Sequence, residues 1–151
     1  MSEPLLTIEL VPQTSWFTNL RSELSGAEWD KIRRKCYRDA GHVCEVCGGV
    51  GPAHPVECHE IWHYDDSAKV QKLSGVVALC PACHEVKHIG LANMKGNLGR
   101  ALAHMARVNG WTVAEAEDAV DAAFDVWRGR SEHKWNIDIK WLESLEAEGH
   151  E

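Results

Sequence analysis

The sequence predicts an α+β fold, with strands near both ends and in the middle of the chain and helices between them. Three observations carry this. Residues 5–11 alternate apolar and polar side chains, and residues 56–63, 75–80 and 134–142 are short alternating or apolar runs, as strands require. Residues 26–40, 97–108 and 113–129 instead place apolar side chains three or four apart, the spacing of one helix face. Four of the six cysteines stand in two Cys-x-x-Cys pairs in the middle of the chain.

With 151 residues, 44% hydrophobic content and seven tryptophans, the chain suits one domain spanning 1–151. No run of about 18 apolar residues occurs, and the start MSEPLLTIEL lacks the basic-then-apolar pattern of a signal peptide. A soluble cytoplasmic protein without membrane contact is expected, and in that setting the cysteines read as metal ligands rather than disulfides. A net charge of −7 argues against coating nucleic acid through bulk charge. Yet Lys31, Arg33, Arg34, Lys35 and Arg38 concentrate five of the sixteen basic side chains in the run KIRRKCYR, whereas residues 96–151 hold eleven acidic against six basic. Any nucleic-acid contact is therefore expected in the first half.

Taken in order, residues 5–11 (LLTIELV) form a first strand closed by Pro12, and residues 14–25 read as loop with room for a short helix. Ser25 or Gly26 caps a helix running to about Ala40, with Trp29, Ile32, Cys36 and Tyr37 as its stripe and Gly41 as its stop. Residues 42–55, HVCEVCGGVGPAHP, are a glycine- and proline-rich reversal that can face Cys44 and Cys47 towards one ion. A strand over 56–63, a polar connection over 64–74 and a second strand over 75–80 follow. Pro81, with no N–H to lose, opens a helix to about His88. Two further helices, 97–108 and 113–129, are separated by Asn109-Gly110, with Thr112 capping the second. The alternation over 134–142 predicts a late strand that pairs with the first.

The cysteine pairs are 32 residues apart, the first in a turn and the second at a helix start. That is the treble-clef arrangement of a tetrahedral structural Zn2+ site, with Cys44, Cys47, Cys80 and Cys83 as ligands. At about 100° per residue, Cys80 and Cys83 share one helix side while His84 and His88 share another about 90° further round. One helix can thus serve two ions; the plainer alternative is a pair of solvated histidines.

Together, Cys44-x-x-Cys47, Glu57-Cys-His59-Glu-Ile61 and Leu79-Cys80-Pro-x-Cys83-His84-x-x-x-His88 resemble the HNH, or His-Me finger, endonucleases that carry an integral zinc staple. The resemblance covers residues 27–90, leaving 91–151 as a helical extension with a terminal strand. It implies a ββα-metal core flanked by helices and a small sheet joining the two chain ends. It also implies a second, catalytic divalent ion such as Mg2+, Mn2+, Ni2+ or Zn2+, with His84 and His88 as its helix ligands. The implied reaction is hydrolysis of phosphodiester bonds in DNA, double-stranded by expectation.

The chain departs from that family in two places. No asparagine lies between His59 and His84, and Gly75 takes its approximate position. The triplet Cys58-His59-Glu60 aligns in two registers: His59 is a metal ligand with Glu60 as general base, or His59 is the base with Cys58 as third ligand. His63 reaches the same strand face or is a surface histidine. The tryptophans read as core, with base stacking the alternative for Trp62. The basic run is either a solvated helix face or a set of phosphate contacts that position DNA without reading sequence. The competing function is a non-catalytic treble-clef zinc module that binds nucleic acid or a protein partner; a homodimer or a place in a larger assembly is compatible with both.

Overall fold

A computed structural model describes residues 4–15 and 23–148. Trp16 and most of the connection expected over 14–25 lie outside the described residues. Helix α1 (Gly26–Asp39) starts where the sequence places it. The Ser25 hydroxyl accepts from the Glu28 N–H at 3.2 Å, and the Glu28 carboxylate accepts from the Ser25 N–H, a reciprocal cap. The chain leaves α1 through Gly41 and His42, both at positive φ, and enters the cysteine turn.

Strands β1 (Glu57–Asp65) and β2 (Val70–Leu79) form an antiparallel hairpin with a register shift at Ile61/Trp62. The hairpin is longer than the sequence suggests, because most of the polar stretch 64–74 is strand. One polar residue of this stretch, Gln71, is fully buried: its side-chain oxygen accepts from the Ser15 hydroxyl at 2.8 Å, while its amide nitrogen has no partner among the described residues. Helix α2 (Pro81–Lys87) follows at once, capped by the Cys80 side chain, and α3 (Ile89–Met94) continues from it. This second short helix was not expected from the sequence. Helices α4 (Leu98–Asn109) and α5 (Val113–Arg130) match their predicted positions. Gly110 takes the left-handed turn between them (φ 69°), and Thr112 and Glu115 form a second reciprocal cap. Strand β3 (Asn136–Asp138) and helix α6 (Trp141–Glu148) close the described chain.

The observed architecture is α+β with a three-stranded sheet in the order β1-β2-β3. One expectation fails: residues 5–11 form no strand, and β3 pairs in parallel with β2 through Val70–Lys72 rather than with the amino-terminal segment. Side chains take the place of a neighbouring strand there. The Asn109 amide accepts from the Leu6 N–H at 2.9 Å and donates to the Leu6 carbonyl at 2.8 Å, while the Trp127 indole N–H donates to the Val11 carbonyl at 2.9 Å. Alternation reports half-burial correctly but does not say what satisfies the backbone. The late run is likewise only three residues of strand before helix resumes.

The main core joins Leu6, Val56, Leu79, Val86 and Ile89 to Met105 and Val120 of α4 and α5. A second cluster gathers Trp62 and Leu73 with Trp29, Ile137 and Trp141. Trp62 and Trp135 are buried and the other described tryptophans are partly so, as the composition requires. No described helix is long and apolar enough to cross a membrane.

Candidate metal centres

The four cysteine sulfurs of Cys44, Cys47, Cys80 and Cys83 lie within 4.8 Å of one another. The turn that carries the first pair is closed by the Cys44 N–H on the Gly49 carbonyl and the Gly48 N–H on the Cys44 carbonyl, both at 2.9 Å, with Gly48 at φ 76°. Backbone N–H groups also point at sulfur: Cys47 to Cys44 Sγ at 3.4 Å, Gly49 to Cys47 Sγ at 3.4 Å and Cys83 to Cys80 Sγ at 3.5 Å. They favour thiolates. Burial opposes the Cys44 thiolate, but the N–H groups of Cys47, Cys80 and Val46 bring it down to about 7. Cys83 moves the other way, pushed up by burial and then by the charges of Cys44 and Cys80. A cation would let all four sulfurs be thiolates at once. The spacing fits one: Cys47 Sγ and Cys80 Sγ are 3.6 Å apart, and two sulfurs at ~2.3 Å from a tetrahedral zinc stand about 3.8 Å apart. The cluster could hold a metal such as zinc.

A residue that sequence reading missed supports this group. His104 of α4 places Nε2 3.1 Å from Cys83 Sγ, while Arg107 reaches its Nδ1 at 2.9 Å. Arginine only donates, so Nδ1 accepts and the Nε2–H points at the sulfur.

The second group is His59, His84 and His88, whose ring nitrogens also converge within 4.8 Å. His59 comes from β1 and is 7% exposed, so it faces inward. His84 lies in α2 and His88 caps its end, and their Nε2 atoms are 3.1 Å apart. Two nitrogens at ~2.0–2.1 Å from a tetrahedral ion stand about 3.3 Å apart, so the donors suit a divalent cation. Desolvation, and then the neighbouring imidazoles, push His88 down to about 4 although the residue is exposed. Desolvation lowers His84 as well, against the pull of Glu57. Both rings are therefore neutral at pH 7, the form that ligates.

Carboxylates stand behind two of these rings. Glu57 accepts from His84 Nδ1 on one oxygen and is 2.9 Å from His54 Nε2 on the other. Burial opposes its ionisation, but the hydrogen bonds from His54 and His84 hold it below the usual carboxylate range. Glu9, fifty residues before His59, lies 2.7 Å from its Nε2. Glu57 was not expected in the site; its place two residues before His59 on the same strand face is the signal that could have found it. His54 and Glu9 had no local signal.

The remaining predicted residues are not in this group. The pleat turns Cys58 and Glu60 to the face opposite His59. Cys58 and Cys36 influence one another's ionisation, and Glu60 accepts from the Trp62 indole at 3.1 Å. His63 is exposed on the hairpin. On α1, Lys31, Arg34 and Arg38 are exposed, Arg33 pairs with Asp30 at 2.8 Å and Lys35 with Asp39 at 2.6 Å. A cleft between α1 and the turn before β1 is lined by Trp29, Arg33, Tyr37, His54, Glu57 and His84, so the helix borders the histidine centre. No protein-family model matches the chain, and no curated protein or solved structure matches it.

Proposed function

We propose that the chain is a metal-dependent endonuclease of the HNH type that hydrolyses phosphodiester bonds in DNA, built on a treble-clef ββα core. The observation that carries this reading is the convergence of His59 with His84 and His88 at the helix whose start supplies Cys80 and Cys83 to the four-cysteine cluster. Cys44, Cys47, Cys80 and Cys83 would hold a structural Zn2+, and His59, His84 and His88 a second divalent ion. That ion would supply a Lewis acid for charge on the transferred phosphate and on the leaving 3′ oxygen. The chain's own part is preparation. Glu57 fixes the His84 ring so that Nε2 faces the centre, desolvation keeps His84 and His88 neutral, and Arg33 stands at the cleft where a phosphate enters. His59, by its position among the ring nitrogens, fits the ligand role; the base role has no support from the placement of Glu60.

The decisive experiment incubates supercoiled plasmid with zinc-loaded protein and Mg2+, Mn2+ or Ni2+, beside a His84→Ala control. Nicking is expected for the native chain, with a loss of about a hundredfold or more in the variant. Absence of cleavage with all three ions, or equal cleavage by His84→Ala, would overturn the reading. A second reading is a non-catalytic treble-clef module that binds nucleic acid or a protein partner. Gly75, which pairs with Ile61, favours it, since the position offers no side chain to brace the histidine strand. DNA bound without cleavage by fully metallated protein is its signature.

A further inference from the structure

The amino-terminal segment forms no ladder, yet it is held firmly where it crosses the histidine centre. Leu6 is fully buried and both its backbone groups are bonded to Asn109. Thr7 accepts at 2.8 Å from the Nζ of Lys87, a lysine only 8% exposed and next in sequence to His88. Between these anchors and Val11, which accepts from Trp127, the chain delivers Glu9 to His59.

The chemistry of that contact is constrained. A carboxylate accepts and cannot donate, so at 2.7 Å the contact needs the proton on His59 Nε2, and in the neutral ring that leaves the lone pair on Nδ1. Glu9 itself is not among the atoms that converge within 4.8 Å, so it stands behind the ring rather than beside the ion. Glu57 does the same to His84 with the ring reversed, taking Nδ1–H and leaving Nε2 for the centre. A histidine that binds a metal generally gives its other N–H to such a partner, which sets both tautomer and orientation.

We infer that Glu9 is a positioning residue for the histidine centre: it holds His59 in the Nε2–H tautomer with Nδ1 turned to the ion, making the amino-terminal segment part of the site. This rests on the reading of His59, His84 and His88 as a metal centre.

Co2+ is the probe, titrated into full-length protein carrying one zinc per chain, for the native chain, Glu9→Ala, Glu9→Gln and His84→Ala. Glu9→Ala should weaken cobalt binding by about ten- to a hundredfold while zinc content is unchanged. Glu9→Gln, whose amide oxygen still accepts from Nε2–H, should recover most of that loss. Ring-nitrogen NMR of the metal-free centre should show His59 protonated on Nε2 in the native chain and in Glu9→Gln, and a mixture of tautomers in Glu9→Ala. Cobalt affinity unchanged in Glu9→Ala, with His84→Ala impaired, overturns the role of Glu9 and leaves the centre intact. Equal cobalt uptake by the native chain and His84→Ala removes the centre itself, and the inference with it.

Discussion

His59 and Glu60 are neighbours in sequence and face opposite ways, because successive side chains on a strand alternate between its two faces. Among the described residues, the partners that could make His59 functional lie on its own side: His84, His88 and the Glu9 carboxylate. Glu60 instead shares the other face with Trp62, whose indole N–H it accepts. The two residues should therefore respond differently to mutation. His59→Ala is expected to abolish plasmid cleavage and weaken the second ion by at least about tenfold, whereas Glu60→Gln should leave cobalt affinity unchanged and cleavage within about twofold of native, since an amide still accepts from Trp62. Calorimetric metal titration alongside gel-based nicking distinguishes them; arrested turnover in Glu60→Gln with metal retained would restore it as the base.

Among the elements, the turn over 42–55 and the start of α2 act as one unit. Gly51 shows how closely they pack: a Cβ there would lie 2.4 Å from the His54 carbonyl and 2.6 Å from the Pro81 ring. Both neighbours are stiff, one being backbone and the other a proline. Gly51→Ala should accordingly cost about 1–3 kcal/mol, the usual range for overpacking, read as a lower urea midpoint at constant slope. At the other end of the chain, Thr112 caps α5 through its hydroxyl with Glu115 returning the bond, and Thr112→Ala should cost about 1 kcal/mol in the same assay. A Gly51→Ala variant of native stability would mean that the turn and α2 yield easily to one another.

For the whole molecule, the sulfur cluster ties the turn after α1 to the start of α2, and α2 with its C-cap carries two of the three histidines. Structural zinc in small domains contributes about 10–16 kcal/mol of apparent binding energy, comparable with the whole stability of about 5–15 kcal/mol of an ordinary domain. A strong chelator should therefore abolish the cooperative thermal transition followed by circular dichroism, and one equivalent of Zn2+ should restore it. Charge is also distributed at this scale: the acidic chain keeps exposed Lys31, Arg34 and Arg38 on α1, the helix that borders the histidine cleft. Neutralising these three should weaken DNA binding and reduce the slope of log affinity against log salt by up to about 2.7, at about 0.9 for each phosphate no longer neutralised. An unchanged slope would identify that face as merely solvated.

Local chemistry was legible without a structure. The capped helix α1, the turn that brings Cys44 to Cys47, the proline that opens α2 and the shared face of His84 and His88 all follow from spacings of a few residues, where backbone geometry leaves little freedom. What tertiary structure alone decided are the contacts between segments far apart in sequence. Residues 5–11 read as a strand because they are half-buried, but Asn109 and Trp127 satisfy their backbone, and β3 pairs with β2 instead. The partners of the two centres, Glu9 at His59 and His104 at Cys83, come from 50 and 21 residues away. A spacing pattern encodes which side chains share a face; which distant carboxylate or imidazole meets that face is set by how the whole core packs, because only the packed core brings those segments within hydrogen-bonding reach.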